Sequence, residues 1–167
     1  MASVTTKIFN RILCPIDFGH SLKALDFATR LAAQNDAGLT VLNVAPIPIG
    51  AAELTPAGET EPFWEVNAKA QLDLLAKQKL AGVLTNYELI TRSGDAAAGI
   101  LRAEVDVGAD LVVMATHGRR GISHFFLGSV AEQVVRKATC PVLVHRTGGF
   151  VSDELAPDKA AAAARPT

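Results

Sequence analysis

Five short apolar runs, at residues 8–14, 39–45, 87–91, 110–115 and 142–145, alternate with longer segments of helical periodicity. The runs are rich in Val, Ile and Leu and show little polar alternation, the pattern of strands covered on both faces. Residues 21–34 place Leu22, Leu25, Ala28, Leu31 and Ala32 on one stripe, with Gly38 beyond them as a stop. Residues 63–80 carry Val66, Ala70, Leu74 and Leu75 and end before Gly82. Residues 95–107 open at Asp95, a good N-cap, and end at Gly108. Residues 129–138 open with Ser129-Val130-Ala131-Glu132, a capping-box pattern, and Pro141 blocks extension. Strict alternation of strand and helix predicts an α/β fold: a doubly wound five-stranded parallel sheet with helices on both faces and right-handed crossovers.

The chain has 167 residues, enough for one domain. The reading is a domain at residues 1–147 and a flexible tail at 148–167, where Gly148-Gly149 leads into a segment with little to pack. Residues 47–62 form a long connection of Pro, Gly and Ala with Glu53, Glu59 and Glu61, expected to act as a flap. The net charge is −1, without the cation excess that binding to nucleic-acid phosphates demands. Aromatic residues make up 5%, too few for a base-stacking platform. Lys7 and Arg11 interrupt the first apolar stretch, so no export signal is expected. The longest uncharged run, 37–52, contains Asn43, Pro46 and Pro48 and falls short of the about 18 apolar residues of a membrane span. The expectation is a cytoplasmic chain with neither nucleic acid nor membrane as partner. Two cysteines make no disulfide framework. Cys14 near the end of the first strand and Cys140 before the last would lie at opposite ends of a parallel sheet, too far apart to bond.

In doubly wound sheets ligands sit beyond the carboxyl ends of the strands, where the strand order reverses. Two loops there are unusual. The first, Cys14-Pro15-Ile16-Asp17-Phe18-Gly19-His20-Ser21, places a carboxylate at a strand exit. The second, from Met114 to Ser129, holds Gly118, Gly121 and Gly128, the pair Arg119-Arg120, two histidines and no acid. Its glycines let backbone N–H groups approach a ligand, and the helix opened by Gly128-Ser129 points its dipole at an anion. The set suits a phosphate, although it is neither a P-loop nor G-x-G-x-x-G. Simpler roles compete at each position. Ser129 caps its helix with Glu132, Asp17 bonds nearby turn amides, Gly118 and Gly121 only turn the chain, and Arg119 is a surface charge. The four histidines lack the i, i+4 spacing of a zinc site, and His117 reads as a loop-ordering hydrogen bonder.

The segments ILCPIDF, LTVLNVAP, SGDAAAGIL and ADLVVMATHGRRG, the last continued by LGSVAEQVVRKATCPVLVHR, together resemble the universal stress protein family across residues 8 to 146. Nucleotide-binding members of that family carry G-x2-G-x9-G-[ST]. Here the pattern reads Ala115-x2-Gly118-x9-Gly128-Ser129, with the spacing kept and the first glycine replaced by alanine. The resemblance implies the strand order 3-2-1-4-5, with the reversal between strands one and four. It also implies a nucleotide site. Asp17, beside Pro15 and Ile16, would meet the ribose, and Val44 the adenine through its backbone. Met114 and Ala115 would line base and sugar, and Gly118, Gly128, Ser129 and Val130 would hold phosphates. Arg119 would add charge. The cofactor implied is ATP, or AMP or ADP, with Mg2+ accompanying the nucleotide and no dedicated metal site. A homodimer through strand five, Val142 to Arg146, follows from the same resemblance, and an apolar edge strand invites such pairing.

Three functions compete. The first is a stress-response protein in which an adenine nucleotide acts as a switch by differential affinity for two states. The second is a slow Mg2+-dependent ATPase, for which the loop shows no clear water-activating carboxylate. The third is a nucleotide-free interaction protein on the same scaffold, favoured by Ala115 and Ala131.

Overall fold

The computed structural model describes residues 7–50, 62–116 and 127–146. They form β1 (Arg11–Ile16), α1 (Leu22–Asn35), β2 (Gly38–Ala45), α2 (Phe63–Lys79), β3 (Tyr87–Ser93), α3 (Ala96–Val107), β4 (Leu111–Thr116), α4 (Ser129–Lys137) and β5 (Val142–Arg146). The five strands make one sheet in the order β3-β2-β1-β4-β5, and every pairing is parallel. The expected α/β fold and strand order are therefore found, with β5 at one edge. The flap expected at 47–62 falls largely, and the tail at 148–167 wholly, outside the described residues.

Alternation along the strands sorts the side chains into two cores. Ile12, Cys14, Leu39, Val41, Leu111 and Val113 face α1 and α2, whereas Leu13, Leu42, Val112 and Met114 face α3 and α4. Strands sandwiched in this way have no polar face, which is why they read as unbroken apolar runs.

Several boundaries differ from the sequence reading. The first strand runs from Arg11 to Ile16 rather than over 8–14, so Pro15 lies inside it. Helix α1 is ended not by Gly38 but by Asp36, which takes the left-handed conformation at φ 48° while Ala37 N–H bonds Ala32 C=O at 2.9 Å. A short polar side chain tolerates that region, and Gly38 is left to begin β2. In α2 the stripe Val66, Ala70 and Leu74 is exposed. The buried stripe is Ala68, Leu72 and Ala76, with Leu75 packed at its margin. This helix is apolar on two sides, and the side carrying Ala68, Leu72 and Ala76 is the one turned to the core.

The capping box at Ser129 is not formed. Gly128 is the N-cap of α4 and has no side chain to cap with, and Ser129 is the first helical residue. Glu132 instead pairs with Arg136 at 2.9 Å, one turn along the helix. The cap expected at Asp95 is present, its Oδ1 accepting from Ala98 N–H at 2.8 Å. Helix α3 closes at Gly108, left-handed at φ 57°. Within α3 the buried Glu104 accepts at Oε1 from Thr139 N–H (2.6 Å), Thr139 Oγ1 (2.7 Å) and Cys140 N–H (2.9 Å), tying α3 to the entry of β5.

Candidate functional site

The exits of β1 and β4 lie side by side where the strand order reverses. Toward β2, the pairing of β1 runs to Ile16↔Asn43, but toward β4 it covers Ile12↔Leu111 and Leu13↔Val112. Pro15 has no N–H to carry that second ladder further, so the seam between β1 and β4 is free to open toward the carboxyl end. On the other side the exit is held: buried Asn43 donates from Nδ2 to the Ile16 carbonyl at 3.0 Å. Val44 follows Asn43 and stands at the level of Asp17.

Asp17 sits in a tight hydrogen-bonded turn. Its Oδ1 accepts from Gly19 N–H (3.0 Å), Ser21 N–H (3.1 Å) and Ser21 Oγ (2.7 Å), while its own N–H donates to Ser21 Oγ at 2.9 Å. Phe18 completes the turn in the left-handed region at φ 59°. The turn-bonding role read as the rival for Asp17 is thus real. It fixes the carboxylate at the strand exit before any ligand arrives, and Asp17 itself remains exposed. Ser21 was legible only as a helix start; an Asp followed four residues later by a buried Ser is the signal for the clamp.

Across the seam, Gly128 adopts φ 86° and ψ 142°, and a Cβ added there would meet nothing within 4 Å. Gly128 and Ser129 are exposed, and Val130 is half-buried. The leading N–H groups of a helix have no partner within it, and the N-cap, Gly128, has no side chain to supply one. An exposed, uncapped N-terminus behind an open glycine offers donors and a positive dipole end to an anion. The donor set therefore fits a phosphate. Ala131 is buried in the second core and contributes a methyl to packing. Met114 is buried on the same side, Pro15 and Ile16 are buried, and Ala115 is half-buried against the first core. Gly118 and Arg119 lie outside the described residues.

The match to known proteins is extensive. The model of the universal stress protein family fits residues 9–146. The chain belongs to the universal stress protein family. A universal stress protein of Bacillus subtilis is 33% identical over 148 residues, covering 83% of this chain and 100% of the relative. One from Methanocaldococcus jannaschii is 34% identical over 145 residues, covering 82% of each. Among solved structures, a universal stress protein in complex with cAMP aligns with a TM-score of 0.64 at 24% identity, over 84% of this chain and 98% of that one. The Archaeoglobus fulgidus family member in complex with dAMP aligns with a TM-score of 0.56 at 21% identity, over 82% and 98%. At these identities the two structures support the fold.

Cys14 and Cys140 are free thiols. Burial pushes Cys14 up to about 12, and burial together with the neighbouring Glu104 carboxylate pushes Cys140 up to about 11, so neither is a thiolate at neutral pH. Among the described residues no group of three or more His, Cys, Asp and Glu could hold a metal ion, and no helix is long and apolar enough to cross a membrane.

Proposed function

We propose that this universal stress protein binds ATP or a related adenine nucleotide, AMP or ADP, between the exits of β1 and β4, and that occupancy works as a switch. The observation that carries the reading is the pairing of two prepared ends across one opened seam: the uncapped N-terminus of α4 behind Gly128, and the carboxylate of Asp17 held by Ser21. The first supplies N–H donors of Ser129 and Val130 to phosphates, with Gly118 and Arg119 as further phosphate contacts. The second supplies an acceptor to ribose hydroxyls. Val44, Met114 and Ala115 take the base and sugar, next to Pro15 and Ile16. Mg2+ would arrive with the nucleotide. The cAMP and dAMP complexes of family structures support an adenine ligand.

Titration of the purified protein with ATP tests the site, with mass spectrometry of nucleotide carried through purification as an independent readout. Saturable binding below millimolar ATP is expected. A flat titration to millimolar ATP, with no nucleotide in the extract, overturns the proposal.

The same reading makes residues 1–147 the working domain, 148–167 a tail, and the cytoplasm its location. It also makes the protein a homodimer through β5, whose outer edge has no neighbouring strand among the described residues. A monomeric mass by light scattering at micromolar concentration would remove the dimer.

A further inference from the structure

Helix α3 crosses β2 at Gly99, where a side chain has no room. A Cβ built on Gly99 would stand 2.9 Å from Cγ2 and 3.0 Å from Cγ1 of Val44. Carbon atoms do not pack so closely, so an alanine at 99 must displace something. The reason for glycine here is space, since Gly99 is a helical residue that any side chain could adopt. Glycine inside a helix is unfavourable relative to alanine, and close approach of two elements is what compensates for it.

Neither partner can retreat easily. Val44 is β-branched and stiff at χ1. Its main chain is paired with Arg92 of β3, and Ala45 C=O accepts from Gly94 N–H at 3.0 Å. Helix α3 is held to its neighbours by Glu104, which grips Thr139 and Cys140, and by Asp106, which accepts from Arg92 of β3. Pressure from a new methyl group therefore passes into the main chain of β2 at Val44, the segment assigned above to the adenine.

The geometry points to Gly99 as a positioning residue for the base-binding wall. It touches no ligand; by lacking a side chain it sets how far Val44 and its backbone sit from α3. This inference rests on the nucleotide reading above and deepens it.

The test is a double-mutant cycle with Gly99→Ala, Val44→Ala and the pair, read in two ways: ATP affinity, and stability to urea. Gly99→Ala is expected to bind ATP about tenfold more weakly while keeping a native circular dichroism spectrum. In the Val44→Ala background, where the opposing methyls are gone, the same change is expected to cost less than about twofold in affinity, and the two stability effects are expected to be non-additive. Wild-type affinity in Gly99→Ala overturns the positioning role. Additive stability effects overturn the Val44 contact itself. Wild-type protein that binds no ATP overturns the nucleotide reading instead, and the stability cycle then decides the contact alone.

Discussion

Glu104→Leu is expected to destabilise the protein by about 1–3 kcal/mol, the range for leaving hydrogen-bonding groups without their partner. In a domain of this size that lowers the melting temperature by about 5 °C. The carboxylate is 2% exposed and is the common acceptor for Thr139 N–H, Thr139 Oγ1 and Cys140 N–H. Leucine fills the space but strands those donors at the turn that feeds β5. The effect also carries a pH signature. Burial pushes the Glu104 carboxyl up, but the hydrogen bonds from Thr139 and Cys140 outweigh it, and the net shift is below the ordinary value of 4.5. A folded pKa below the unfolded one means stability that is fully present above the unfolded value and lost as pH falls through the folded one. Urea denaturation of wild type and Glu104→Gln should therefore give the largest gap near neutrality, narrowing below about pH 4.5. Asp110, depressed by hydrogen bonds from Asn10 and Arg11 against its own burial, titrates in both proteins and cancels in the comparison. A gap that stays constant down to acid pH would mean that Glu104 acts through shape and not through charge.

What was legible in the sequence follows from how local each signal is. Asp95 as a cap and Gly108 as a stop are decided within a few residues, and they stand where the sequence places them. The end of the first strand is not local. Pro15 reads as a loop residue until it and Ile16 are known to pair with Leu42 and Asn43 of β2. The Ser129 capping box failed because Gly128 reaches a backbone region closed to other residues and takes the cap itself. For α2 the period was right and the buried face wrong, because two apolar stripes compete and packing against the sheet selects the alanines. The carboxyl-end site was legible as two loops, but its supports were not. Glu104 meets Thr139 across 35 positions, and Gly99 meets Val44 from another element. The same holds for Trp64 Nε1, which donates to Ser93 Oγ at 3.2 Å, and for Ser93 Oγ, which donates to Glu65. Such pairs have no sequence signature, because only the completed fold makes them neighbours.

Gly128→Ala is expected to lose ATP affinity by at least about tenfold, and Gly128→Val by no more than a few times beyond that. A glycine is required either where space is short or where the backbone takes a conformation closed to side chains. Among the described residues nothing lies within 4 Å of where a Cβ on Gly128 would stand, so a methyl would clash with none of their atoms. Its φ of 86° with ψ of 142° is the obstacle, for it lies outside what side chains permit and costs about 1–3 kcal/mol when forced. An alanine relieves that strain by rotating φ back, and the rotation re-aims the amides of Ser129 and Val130 that the proposed phosphate site depends on. Asparagine, which tolerates the left-handed helical region, gains nothing at this ψ and should behave like alanine. If volume near the phosphates were what mattered, alanine would be mild and valine severe. Titration of the three variants with ATP, alongside their stability to urea, distinguishes the cases. An alanine variant that binds as wild type, while losing stability, would put the phosphates somewhere other than this helix end.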